Sequence, residues 1–156
     1  MATWLYQINQ QQWPPEKYRT DIWEGEEETW PVGRLVRGDS EEPQPGDVVV
    51  FFYAPTGGWD WGFYGWAVIV GWHSRDEDKE IRFRPTSPSD RLKMDPWCDR
   101  EAKALADEIR GRVKQGTMWK VPDHLVPRLR SGLVTWAAGV TTGEGESVEP
   151  GEEVEE

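Results

Sequence analysis

The groups in this chain that can do chemistry are mostly flat rings, with a few amides, carboxylates and cations around them. Trp59-Asp60-Trp61 sets a carboxylate between two indoles. A carboxylate in such surroundings can have its pKa raised, or can accept a hydrogen bond from the Watson–Crick edge of a base. The same Asp60 can also do no more than cap a turn. Asn9 carries an amide that both donates and accepts, the pairing a base edge asks for. Trp13, Trp23, Trp30, Tyr53, Trp59, Trp61 and Tyr64 are candidate walls of a stacking site. Stacking a base on an aromatic ring is worth ~1–3 kcal/mol whatever the base, so selectivity falls to polar groups at the rim. Arg82, Arg84, Arg91 and Lys93 are the candidate phosphate contacts.

Other chemistries find little to work with. The two histidines, His73 and His124, have no second ligand at metal-binding spacing. No G-x-S-x-G, Walker or dinucleotide-binding glycine motif occurs, and Gly57-Gly58 lacks the lysine of a phosphate loop. The expectation is therefore no metal, no cofactor and no catalytic residue.

The chain has 156 residues, enough for one domain with a real core, and 11 Trp against 4 Phe. That is more indole than so small an interior needs, which favours recognition surfaces as well as packing. The net charge is −11, unevenly spread. Residues 1–78 carry 5 basic and 14 acidic groups, 79–130 carry 13 basic and 8 acidic, and 131–156 carry 7 Glu and no cation. Bulk polyanion binding needs a net basic surface and is disfavoured, but one basic face in the middle of the chain is not. The single cysteine, Cys98, allows no internal disulfide and suits a reducing compartment. No charged-then-apolar leader and no apolar run of about 18 residues is present, so the expected location is cytoplasmic.

These groups must be held by a scaffold centred on Asp47 to Trp72. Val48 to Tyr53 is a β-branched and aromatic run, as in a strand covered on both faces, and Trp66 to Val70 is a second. Between them APTGGWDWGFYG reads as a loop with four glycines and four aromatics. Thr3 to Ile8 reads as a first strand, with Trp4, Tyr6 and Ile8 on one face. Trp13 to Arg19 reads as a short helical turn carrying prolines. Lys79 to Pro85 alternates, with Ile81 and Phe83 inward and Arg82 and Arg84 outward or toward a ligand. Asp95-Pro96 predicts the start of a helix, with Ala102, Leu105, Ala106, Ile109 and Val113 on one stripe and a stop at Gly116. Thr117 to Val121 and Leu133 to Ala137 read as late strands around a helical stretch interrupted by Pro127. Residues 139–156 read as a disordered acidic tail after one domain over 1–138. The simplest arrangement is α+β: a mixed, mostly antiparallel barrel of five or six strands with flanking helices.

Trp4-Leu5-Tyr6-Gln7-Ile8-Asn9, then Trp13, Ile22-Trp23-Glu24-Gly25 and Pro45-Gly46-Asp47 with its following strand, resembles the EVE domain of the PUA-like superfamily. Met118-Trp119-Lys120-Val121-Pro122 is similar to that family's late strand and Pro-started helix. The likeness is strongest over residues 3–72. Where many members carry Arg-Asn after Trp-x-Gly, this chain has Glu26-Glu27-Glu28. The resemblance implies a PUA-like β-barrel and an aromatic cage for a modified base, in RNA or flipped from DNA. It implies pocket positions for Asn9, Trp23 and Tyr53, and less firmly for Trp13. The expectation that follows is a non-catalytic nucleic-acid-binding domain, with any cleavage supplied by a separate nuclease or modification enzyme. Two rival readings are a protein-interaction module with Trp-rich anchor loops, and an enzyme acting on a nucleotide through Asp60.

Overall fold

The computed structural model describes residues 1–8, 27–32, 35–36, 42–54, 61–75, 78–87, 95–111 and 116–139. The early helical turn at Trp13 to Arg19, and the acidic tail from residue 140 on, lie outside the described residues.

The Val48–Tyr53 run forms a strand with every residue buried, as its composition predicts. The Asp47 carboxylate ahead of it faces back into the turn and is itself buried. It accepts hydrogen bonds from the backbone N–H of Gln44 at 2.9 Å and of Ala2 at 2.9 Å, and from the Trp4 indole N–H at 3.0 Å. That carboxylate fixes β1 (Thr3–Gln7) beside β4 (Val48–Tyr53), in parallel and with Thr3 opposite Val48.

The remaining described strands are β2 (Glu28–Pro31), β3 (Leu35–Val36), β5 (Gly62–Arg75), β6 (Asp78–Pro85) and β7 (Met118–Lys120). They make one mixed sheet in the order β2-β6-β5-β4-β1-β7-β3. β5 begins at Gly62, so Phe63 and Tyr64, expected in a loop, are strand residues. Its pairing with β4 and β6 is irregular at Tyr64 and at Val70, each an extra residue that bends the strand.

The expected closed barrel of five or six strands is corrected by this topology. Seven strands are described, and among the described residues β2 and β3 stand at the two ends of an open sheet, unpaired with each other. Closure would need a ladder between them. β3 is two residues long, and Pro31 in β2 has no N–H to give, which confines it to an edge. The sheet is nonetheless tightly curled. Tyr6 on β1 lies four strands from β2, about 19 Å if the sheet were flat. Yet its ring centroid is 5.4 Å from that of Trp30, and its hydroxyl donates to the Pro31 carbonyl at 2.5 Å. The face bearing Tyr6, Trp30, Phe51 and Phe83 is therefore the concave one.

Helices cover the other face. α1 (Arg100–Arg110) is capped by Asp99, whose carboxylate accepts from Ala102 N–H at 2.9 Å. The start expected at Asp95 is four residues too early, because Trp97 is held in an extended bridge to Phe63. Gly111 rather than Gly116 ends the helix. α2 (Val126–Ala137) absorbs Pro127 in its first turn, where a missing N–H costs little. It also absorbs Leu133 to Ala137, expected as a strand: Leu129, Leu133 and Trp136 recur at helical spacing and are buried together. Arg128 joins the helices by a two-pronged contact to Glu101, at 3.0 and 3.1 Å. Trp97 is wedged between them and the sheet, against Phe63 on one side and Gly132 of α2 on the other.

Two stability predictions follow from these contacts. Asp47→Ala leaves the buried Trp4 indole N–H without an acceptor and should lower unfolding free energy by about 3 kcal/mol, with Asp47→Asn costing less. A methyl at Gly132 would overlap the Trp97 ring. Overpacking of ~1–3 kcal/mol should then outweigh the ~1 kcal/mol gained in helix propensity, and Gly132→Ala should unfold at lower urea. An unchanged urea midpoint in either alanine variant would contradict the corresponding contact.

Candidate functional site

Pairing across an antiparallel ladder decides which side chains share a face. Ile81 on β6 lies opposite Trp72 of β5 on one side and Trp30 of β2 on the other. All three point to the concave face. Ile81 is fully buried, while the two indoles that flank it are half-buried against the core. Strand spacing sets their backbones about 9–10 Å apart. The Trp30 ring leans inward on Tyr6, Phe51 and Phe83. Trp72 differs in one respect. Its Nε1 is buried and has no hydrogen-bond partner, alone in this among side-chain polar atoms of the described residues. A desolvated indole N–H without an acceptor costs about 1–3 kcal/mol, and buried indoles usually find one.

The other described candidates lie deeper. Tyr53 is fully buried, its ring 4.7 Å from that of Tyr64. Trp61 is 3% exposed and meets Phe52 edge-on. Both rings belong to the core cluster rather than to a surface. Asn9, Trp13, Trp23, Trp59, Asp60, Arg91 and Lys93 lie outside the described residues. Of the base-contact candidates, the structure therefore leaves Trp30 alone half-open on the concave face among the described residues. It adds Trp72, which the sequence reading did not select. The alternation Trp72-Ser74 against Ile81-Lys79 carries the signal for Trp72, but only once the irregularity at Val70 is known.

Arg82 and Arg84 alternate with Ile81 and Phe83, so they occupy the opposite, outer face of β6. Both are about half exposed, and both reach the Glu27 carboxylate, Arg84 Nη2 at 2.8 Å and Arg82 Nε at 3.4 Å. Glu27 sits in an acidic run that reads as solvent-facing in sequence; its two partners come from β6. A different cation is buried outright. Arg110, at the end of α1, lies over the Phe52 ring at 4.9 Å and donates to Gln7 and Asp107, each at 3.2 Å. It locks α1 to the end of β1, and its hydrogen bonds make it a structural cation.

Among the described residues no group of three or more His, Cys, Asp and Glu is placed to hold a metal ion. No helix among them is long and apolar enough to cross a membrane. The large apolar side chains exposed among them are Met1 and Val134, far apart in the chain.

No family model matches this chain, and no curated protein is similar to it. Together with the open sheet, this overturns the EVE and PUA-like barrel terms expected from the sequence. Among solved structures, a hypothetical protein from Leishmania major is similar at a TM-score of 0.45 and 12% identity, over 85% of this chain and 94% of that one.

Tyr6 gives the concave face a pH dependence. Burial pushes its phenol well above the ordinary value of 10.0. The folded state then holds this proton where the unfolded chain releases it, so stability is full below pH about 10 and falls above it. The expected slope is up to about 1.4 kcal/mol per pH unit. Tyr6→Phe should lose about 1 kcal/mol at neutral pH with the Pro31 hydrogen bond, and should lack this share of the alkaline slope in urea titrations. Equal slopes in the two proteins would show that Tyr6 does not carry it.

Proposed function

We propose that this protein is a non-catalytic nucleic-acid-binding domain that takes an unpaired or flipped base against the half-buried tryptophans of its concave face. The observation that carries this reading is the row Trp30, Ile81, Trp72, with its unpartnered indole donor. Ile81 is an apolar floor, and the two indoles are walls on either side of it. A planar guest gains stacking of ~1–3 kcal/mol there, regardless of which base it is. A modest turn of the Trp72 indole brings its N–H to a carbonyl or ring nitrogen of the guest, which removes the cost of leaving that donor unmade. The Tyr6, Phe51 and Phe83 rings behind Trp30 keep its plane from swinging.

Binding fits the described residues better than catalysis, since the row holds no acid, base or nucleophile. A protein-anchor surface would want a broad exposed apolar patch, and among the described residues the two exposed large apolar side chains, Met1 and Val134, do not make one. The reading includes a cytoplasmic location, which the single cysteine suits. It also includes a separate nuclease or modification enzyme as the partner that acts on the bound strand.

Fluorescence titration with short single-stranded oligonucleotides, methylated and unmethylated, tests the reading. Tryptophan emission should be quenched on binding. Trp72→Ala should weaken affinity about fivefold to a hundredfold. Trp66→Ala is the control, because Trp66 pairs with Val50 on the opposite face of the sheet. If no oligonucleotide quenches emission, or if both variants lose affinity equally, the row is not the site.

A further inference from the structure

We infer that Arg82 and Arg84 form a seat for a phosphodiester, and that Glu27 is the internal carboxylate that occupies it when no strand is bound. The inference deepens the nucleic-acid reading above, but it stands on the other face of the sheet and on different residues.

The geometry is that of a two-guanidinium fork. Arg82 and Arg84 are two residues apart on one strand and so project side by side from one face. Each contributes a nitrogen to a different oxygen of the same carboxylate, Nε to Oε1 at 3.4 Å and Nη2 to Oε2 at 2.8 Å. Two guanidinium groups converging on two oxygens of one anion is the arrangement in which arginine holds phosphate. Arg82 is held in reach by a bare stretch of strand. A Cβ at Gly71 would stand 3.3 Å from its Cζ and Nη2, so the guanidinium lies across the glycine of β5. Thr29 is Arg82's partner on β2 and is exposed on the same face.

Glu27 is a weak occupant. Its side chain is 41% exposed, and those of the arginines are 54% and 55% exposed. Exposed pairs of this kind add little to stability, so a better anion can displace this one. It is also correctly sited to act as a threshold. Glu27 directly precedes β2, the outermost described strand on this side of the sheet, which separates this seat from Trp30 on the concave face. A strand with one base against Trp30 and Trp72 reaches the seat by crossing that edge. Chloride or a stray carboxylate gains little by replacing Glu27, while a phosphodiester anchored by its base does so from close range.

The test is affinity as a function of salt, read by fluorescence anisotropy of a labelled single-stranded oligonucleotide. Glu27→Gln keeps the shape and removes the charge. It should raise affinity about threefold to fivefold at low salt. Arg84→Gln and Arg82→Gln should each lower affinity for all sequences alike and flatten the slope of log affinity against log salt by about 0.7. All three side chains are exposed, so melting temperatures should stay close to that of the parent. Inorganic phosphate, added at constant ionic strength with chloride as the balance, distinguishes a free phosphate site from a strand site. It should compete with the oligonucleotide only weakly.

Affinity that does not rise in Glu27→Gln, or a slope unchanged in the arginine variants, overturns the seat. Tight binding of inorganic phosphate with no binding of the oligonucleotide overturns its assignment to a nucleic-acid strand. The two proposals fail separately. Loss in the arginine variants with no tryptophan quenching leaves the seat and removes the base site. Quenching that depends on Trp72 and ignores both arginines does the reverse.

Discussion

The curl of the sheet is the constraint on which the rest depends. A flat sheet in this strand order would hold Tyr6 and Trp30 about 19 Å apart, and the observed ring separation is 5.4 Å. Two irregularities in β5, at Tyr64 and Val70, supply bending in the middle of the sheet. The Tyr6 hydroxyl then meets the Pro31 carbonyl across the concavity. Once curled, the sheet has an inside, and the inside can be filled only by side chains from that one face. Tyr53, Tyr64, Phe51 and Phe83 are interior for this reason. The row through Ile81, midway along β6, is where two indoles on the concave face remain half-buried beside a fully buried side chain.

Asp47 sets where the curl begins. Parallel neighbours cannot be joined by a tight hairpin, so the register of β1 on β4 needs a fastening of its own. One carboxylate with three donors provides it: the turn at Gln44, the chain at Ala2 and the indole of Trp4. A shift of one residue would send Tyr6 to the helix-covered face and Leu5 into the concavity. The contact between Tyr6 and Pro31 thus depends on a hydrogen-bond cluster at the opposite end of β1.

Period and composition made part of this legible in the sequence. The central strand, the inward placing of Ile81 and Phe83, and the buried stripe of α1 all follow from neighbours a few residues apart. What the sequence hid is set by distant partners. Trp61 and Trp30 both read as candidate stacking rings, yet one packs on Phe52 in the core and the other stays partly exposed against it. Trp72 was missed because alternation counted from Trp66 through Val70 loses its phase at an extra residue that only the pairing reveals. Glu27 reads as one of three solvated acids until β6 brings two arginines to it. Leu133 to Ala137 has strand-like composition but helical spacing with Leu129, and burial of that stripe favours the helix. Closure failed for a similar reason: strand count says nothing about whether the two edge strands are long enough to pair.

The charge of the chain constrains how such a site can work. At −11 the protein as a whole repels a polyanion, so long-range attraction cannot supply the affinity. Screening limits that repulsion to about 8–10 Å at ordinary ionic strength. Inside that distance the contacts the proposed site would use are local: rings, which are indifferent to charge, and two arginines held by one exposed carboxylate. An acidic domain built this way would hold a strand by one base and one phosphate rather than by a basic track. It would also release strands that offer only the phosphate, because the repulsion remains while the stacking is absent. On the proposed reading, selectivity for an unstacked base would then follow from the net negative charge, with Glu27 adding to it where Arg82 and Arg84 converge on the outer face of β6.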